Sequence, residues 1–94
     1  MGTYPVECVN VDDSSSYSDC RCITTIGIPN TDGGTNTYTP ARIHDRIEDE
    51  GDEFYIKHDG SRTYLEAVER VGTKYVRAEP NDTEDDNLLE QPSC

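Results

Sequence analysis

The sequence contains no tryptophan, one phenylalanine and one methionine. Val, Ile, Leu and Phe together supply sixteen of its 94 residues. So little large apolar material leaves no run of about 20 apolar residues that could cross a bilayer as a helix, and it limits the core to that of one small domain. Lysine is scarce as well. Lys57 and Lys74 stand beside Arg21, Arg42, Arg46, Arg62, Arg70 and Arg77, against twenty acids, for a net charge of −12. That balance opposes nonspecific binding to nucleic-acid phosphates or to an anionic membrane. A signal-peptide pattern is also missing at the N-terminus, so the expected location is cytoplasmic.

Few large apolar residues with high net charge ordinarily signal disorder. Two readings compete: a weakly held fold in ordinary cytosol, or a fold adapted to high salt. At molar salt the Debye length falls to roughly 3 Å, which screens carboxylate self-repulsion. Abundant Asp and Thr with almost no Lys favours the halophilic reading, because the second half of the chain carries clear folding patterns.

Residues 1–19 read as a flexible tail, although Val6, Cys8 and Val11 could make a short edge strand. Residues 20–79 read as the α+β domain. Cys22 to Ile28 is β-branched and ends at Pro29, as a strand does, and Thr35 to Tyr38 returns after a turn-rich stretch. Thr39-Pro40 then opens a helix that Gly51 closes, with Ile43 and Ile47 on its apolar face and Ala41 and His44 at the margins. Phe54 to Lys57, the Asp59-Gly60 turn and the strand after it form a hairpin. Its register sets Ile56 opposite Thr63, Tyr55 opposite Tyr64 and Phe54 opposite Leu65. A second turn at Gly72-Thr73 would put Glu69 opposite Val76, which requires a bulge near Glu66–Glu69. The expected architecture is β-β-α-β-β-β, a small antiparallel sheet with one helix on one face. Residues 80–94 read as an acidic tail that docks through Leu88 and Leu89.

Gly72-Thr73-Lys74-Tyr75-Val76-Arg77-Ala78, then Pro80, Asp82, Asp86-Asn87-Leu88-Leu89 and Pro92, resembles a family of small prokaryotic proteins known as domain of unknown function 3892. The opening Ile23-Thr24-Thr25 strand is similar too. The resemblance covers roughly residues 22 to 92 and departs from the family pattern at Val76 and Ala78, where Leu and Thr are usual. It implies a compact α+β domain and no particular activity.

Four constellations are candidates for chemistry or binding. Cys8, Cys20, Cys22 and Cys94 could form a four-thiolate zinc site or a transient disulfide; the plain alternative is unrelated thiols. His44 and His58 match no catalytic spacing. The acid run 81–87 offers oxygen ligands without the fixed spacing of a calcium loop. The sheet's outer face is the most informative. It carries Tyr55, Arg62, Tyr64, Arg70, Tyr75 and Arg77 in a segment, 54–78, that holds five cations against three acids. Such a face could grip a partner, or could satisfy itself by laying Arg over Tyr. The reading is a binding module, not an enzyme, with a protein partner favoured over nucleic acid and no membrane. The alternative is a thiol-based metal or redox protein using the four cysteines.

Overall fold

A computed structural model of the chain describes residues 2–16, 19–58, 60–78 and 86–94, with backbone alone at residue 58. The hairpin at its centre has the register that turn chemistry and side-chain pairing dictate. Strand β5 (Glu53–His58) pairs antiparallel with β6 (Ser61–Tyr64), matching Tyr55 with Tyr64 and Ile56 with Thr63. The Leu65 N–H donates to the Phe54 carbonyl at 2.8 Å. Phe54, Ile56 and Leu65 are buried on one face, and the Tyr55 and Tyr64 rings meet at 5.8 Å on the other. Asp59 lies outside the described residues; Gly60 takes the left-handed conformation, φ 80°, that a tight turn requires.

Within the stretch 1–19 expected to be a flexible tail, residues 3–11 instead supply two strands. Strand β1 (Thr3–Pro5) runs parallel to β5, with Tyr4 beside Phe54, and β2 (Cys8–Val11) pairs antiparallel with β3 (Ile23–Pro29). Val6 and Val9 join the core. Partners so distant along the chain leave no local signal, and three- and four-residue strands show little alternation. Strand β4 (Thr35–Tyr38) completes a sheet of order β2-β3-β4, while β1-β5-β6 forms the other three-stranded sheet.

Helix α1 (Pro40–Glu50) begins where its cap demands. The Thr39 side chain accepts from the Arg42 N–H, Pro40 opens the first turn, and Gly51 closes the helix at φ 71°. Ile43 is fully buried and Ile47 packs partly against the core. The helix lies chiefly on a two-stranded ribbon, β7 (Glu66–Arg70) with β8 (Thr73–Arg77).

That ribbon differs from the expected meander in two ways. The chain breaks at Leu65, between β6 and β7, and does not continue through a bulge at Glu66–Glu69. The turn residues are Val71 and Gly72, at φ 50° and 77°, instead of Gly72 and Thr73. Moving the turn by one residue slides the register by two, so the faces are kept, but Ala67 now lies opposite the buried Val76 and Glu69 lies opposite Lys74 at the exposed end of the ribbon. The single antiparallel sheet expected from sequence is therefore three pieces, with one parallel pair, in a fold that is α+β.

Leu88, in a 3₁₀ turn over Asn87–Glu90, is fully buried, and Leu89 packs partly on the same core. Asp86 is 1% exposed and caps that turn, accepting from the Leu88 N–H at 2.8 Å and the Ala78 N–H at 3.1 and 3.2 Å. Residues 81–85 of the acid run lie outside the described residues.

Candidate functional site

The six residues of the expected Tyr/Arg face do not form one platform. Tyr75 is 1% exposed and Arg77 8% exposed, and both α1 and the 3₁₀ turn Cys20–Cys22 pack on β8. Arg77 pairs with Glu66 at 3.3 Å. Arg70 is exposed at the end of β7. Tyr55, Arg62 and Tyr64 do cluster on β5–β6, yet they satisfy one another. The Arg62 guanidinium lies 4.3 Å from the Tyr55 ring centroid. Its pKa is raised by a hydrogen bond with Tyr64 and by the Tyr55 hydroxyl.

A second cation, outside that set, sits in a built environment. Arg46 lies three residues after Ile43 and one before Ile47, on the core side of α1, so an arginine on the apolar stripe was its sequence signal. Its guanidinium is 5.0 Å from the Tyr4 centroid, 5.2 Å from Tyr38 and 5.0 Å from Phe54. Nε donates to Asp52 Oδ2 at 2.9 Å, and Asp52 Oδ1 accepts from the Gly2 N–H at 2.8 Å. Burial opposes both charges, but their mutual hydrogen bond and attraction prevail: the Asp52 carboxyl is held below its ordinary pKa and the Arg46 guanidinium above. Helix, β1 and β5 are thereby tied at one point.

Arg46 forms part of the wall of a cleft of about 370 Å³, with Tyr4, Ile28, Pro29, Asn30, Thr31, Asn36 and Tyr38. Asn30 shapes one lip, its Oδ1 accepting from the Asp32 and Gly34 N–H groups at 2.9 Å each. Asn36 and Tyr38, two apart on β4, share the face that looks into the cleft. Strand β4 pairs only with β3 among the described residues, and Thr35 to Thr37 are exposed. An open backbone edge thus runs beside a cleft whose wall presents a guanidinium, two phenols, two carboxamides and a threonine hydroxyl. Such groups can position and hold a polar segment, chiefly by donating hydrogen bonds.

The four cysteines do not assemble as one set. Cys8 and Cys94 are disulfide-bonded to each other, and Cys20 and Cys22 are buried thiols. Burial raises both thiol pKa values, and for Cys20 the neighbouring Asp86 adds to the shift. Among the described residues no group of three or more His, Cys, Asp and Glu side chains is placed to hold a metal ion. His44 is buried beside Asp45, and the His58 side chain lies outside the described residues.

No helix among the described residues is long and apolar enough to cross a membrane. Comparison with curated proteins and with solved structures returns no match. A family profile, described as protein of unknown function (DUF3892), matches residues 6–92. The match starts at Val6, so β2 lies inside the family domain, well before the residue 22 at which the resemblance read from sequence began. The chain belongs to the DUF3892 family.

Proposed function

We propose that this protein is a small non-enzymatic binding module that takes an extended polypeptide along the open edge of β4, with an acceptor group of that segment over Arg46. The observation that carries this reading is the juxtaposition of the β4 edge, unpaired among the described residues, with the cleft lined by Asn36 and Tyr38. An added strand gains backbone hydrogen bonds from such an edge, and alternate side chains fall into the neighbouring pocket. Among the described residues the cleft lining contains no carboxylate, thiol or imidazole, which favours holding over acid–base or nucleophilic chemistry. A net charge of −12 favours a protein partner over nucleic acid and over an anionic membrane. The proposed setting is a salty cytoplasm, where screening leaves close hydrogen bonds and apolar contacts to carry the affinity.

The test is selection of a random peptide library on the wild-type protein, followed by affinity measurement on the Tyr38→Ala and Asn36→Ala variants. Asn36 is exposed and its variant should keep the fold, whereas Tyr38 is half-buried against the core, so circular dichroism first establishes that Tyr38→Ala is folded. Enriched peptides should bind each variant about tenfold or more weakly, a change of about 1.4 kcal/mol. Peptides that bind wild type and both variants equally would refute the assignment.

A further inference from the structure

Segment 91–94 lies along the outer edge of β2, the edge opposite β3. The Val9 N–H donates to the Pro92 carbonyl at 2.9 Å, and the Cys94 N–H donates to Asn10 Oδ1 at 3.1 Å. The third link is the Cys8–Cys94 disulfide. Nothing in this segment is fully buried: Gln91 is half-buried, and Pro92, Ser93 and Cys94 are exposed. Gln91 is held to the preceding 3₁₀ turn, its N–H donating to the Leu88 carbonyl at 3.3 Å and its Nε2 to the Asn87 carbonyl at 3.1 Å. Beyond it, two hydrogen bonds near water do not offset the entropy of ordering Pro92, Ser93 and Cys94, so the covalent bond is what holds them against β2. Immediately before it, Leu88 and the buried Asp86 cap fix the chain to the core by independent contacts. The boundary between held and buried chain is therefore sharp.

The sheet beneath is shaped to fit the bond. Gly27 pairs with Cys8 across β2 and β3. A Cβ there would overlap Cys8 Sγ and lie 3.0 Å from Cys94 Sγ and 2.9 Å from the Thr35 methyl. Any larger residue at position 27 would push the bridge off the sheet. Cys8 is buried while Cys94 is exposed, so an incoming thiol reaches the bond from the Cys94 side. Cys20 and Cys22 are poor competitors for exchange, being buried thiols whose ionisation is suppressed.

We propose that the Cys8–Cys94 disulfide is a redox-operated strap, which holds segment 92–94 over the edge of β2 and frees that edge when reduced. A dithiol reductant, as a thiolate, attacks Cys94 Sγ and forms a mixed disulfide, with Cys8 leaving as thiolate. Its second thiol then displaces Cys94 and closes the reductant's own disulfide. Two electrons and two protons pass from the reductant, leaving Cys8 and Cys94 as thiols. Among the described residues the oxidised β2-β3-β4 sheet leaves its β4 edge open, and reduction opens its β2 edge as well. This inference stands independently of the ligand assigned to the β4 cleft.

Amide hydrogen exchange on the full chain, oxidised and after dithiothreitol, tests it, with iodoacetamide labelling read by mass spectrometry as the companion measurement. Reduction should expose Cys8 and Cys94 to alkylation while Cys20 and Cys22 stay protected. Exchange at Val9 should accelerate about tenfold or more, with the Leu88 and Ala78 amides unchanged. Cys94→Ser should reproduce the reduced pattern without dithiothreitol, and Cys20→Ser should not. Unchanged Val9 exchange on reduction would overturn the proposal, as would failure of the bond to form under glutathione disulfide. Loss of protection throughout the chain would overturn it too, since the bond would then be a staple of the whole fold.

Discussion

Val71 is the one non-glycine residue at positive φ among the described residues, at 50°, and it is fully exposed. A β-branched residue there places Cβ against the backbone, at a cost of about 1–2 kcal/mol, and the exposed side chain recovers nothing by burial. Val71→Asn keeps the turn and removes most of that strain, because Asn tolerates the left-handed region and Asn-Gly is the preferred pair for a two-residue hairpin turn. No burial is lost, so stability should rise by about 0.5–1.5 kcal/mol. For a domain this size each kcal/mol moves Tm by about 4–8 °C, which circular dichroism resolves easily. Val71→Gly relieves the strain too but loosens the unfolded chain, so it should gain less than Asn. Urea unfolding should show a higher midpoint with the same m-value. The sign is diagnostic. Were the turn at Gly72-Thr73, Val71 would be a strand residue, Asn would be a poor substitute, and stability would fall. A fall would refute both the turn and the β7–β8 register.

Phe54→Ala should cost roughly 3–5 kcal/mol, because Phe54 is fully buried, stacks on Tyr4 at 5.5 Å and supports Arg46. Tyr64→Ala, at a 47% exposed position, should cost no more than about 1 kcal/mol; equal losses would mean the hairpin faces are misassigned. Asp52 has a folded pKa below its ordinary 3.8, so its pairing stabilises the fold above that pH and is lost as pH falls through the folded value. Wild type should exceed Asp52→Asn in stability at neutral pH, and the gap should close below pH 3.8 in acid titrations followed by circular dichroism. With a net charge of −12, Tm should rise from dilute buffer to molar KCl; a flat or falling curve would remove the halophilic reading.

What was legible in the sequence was what local chemistry decides. Thr39-Pro40 and Gly51 bound α1 because capping is settled within a few residues, and the β5–β6 register follows from turn and side-chain alternation together. What escaped depends on distant pairings. Tyr4 reaches Phe54 across fifty residues in a parallel pair, and nothing near Thr3–Pro5 announces it. Cys94 reaches Cys8 across 86 residues in the same way. Val71 is a poor turn former on propensity alone, so sequence places the β7–β8 turn one residue too late, and that slip sets Glu69 opposite the buried Val76 instead of the exposed Lys74. Tyr75 and Arg77 were placed on an open face because sheet alternation does not reveal a second layer; α1 and the Cys20–Cys22 turn both pack on β8. The Arg46 cleft was missed although its signal was present, an arginine on the apolar stripe of an amphipathic helix.

The central claim is that β4 and the Arg46 cleft form a binding edge. Its most direct measurement is backbone NMR of the ¹⁵N-labelled protein with a peptide enriched on it, combining amide exchange with intermolecular NOEs. New exchange protection is expected within Thr35–Tyr38, with NOEs from the peptide to the Tyr38 and Tyr4 rings and shifts at the Arg46 guanidinium. A peptide that leaves the β4 amides unprotected, with its contacts instead on Tyr55, Arg62 and Tyr64, would contradict that claim.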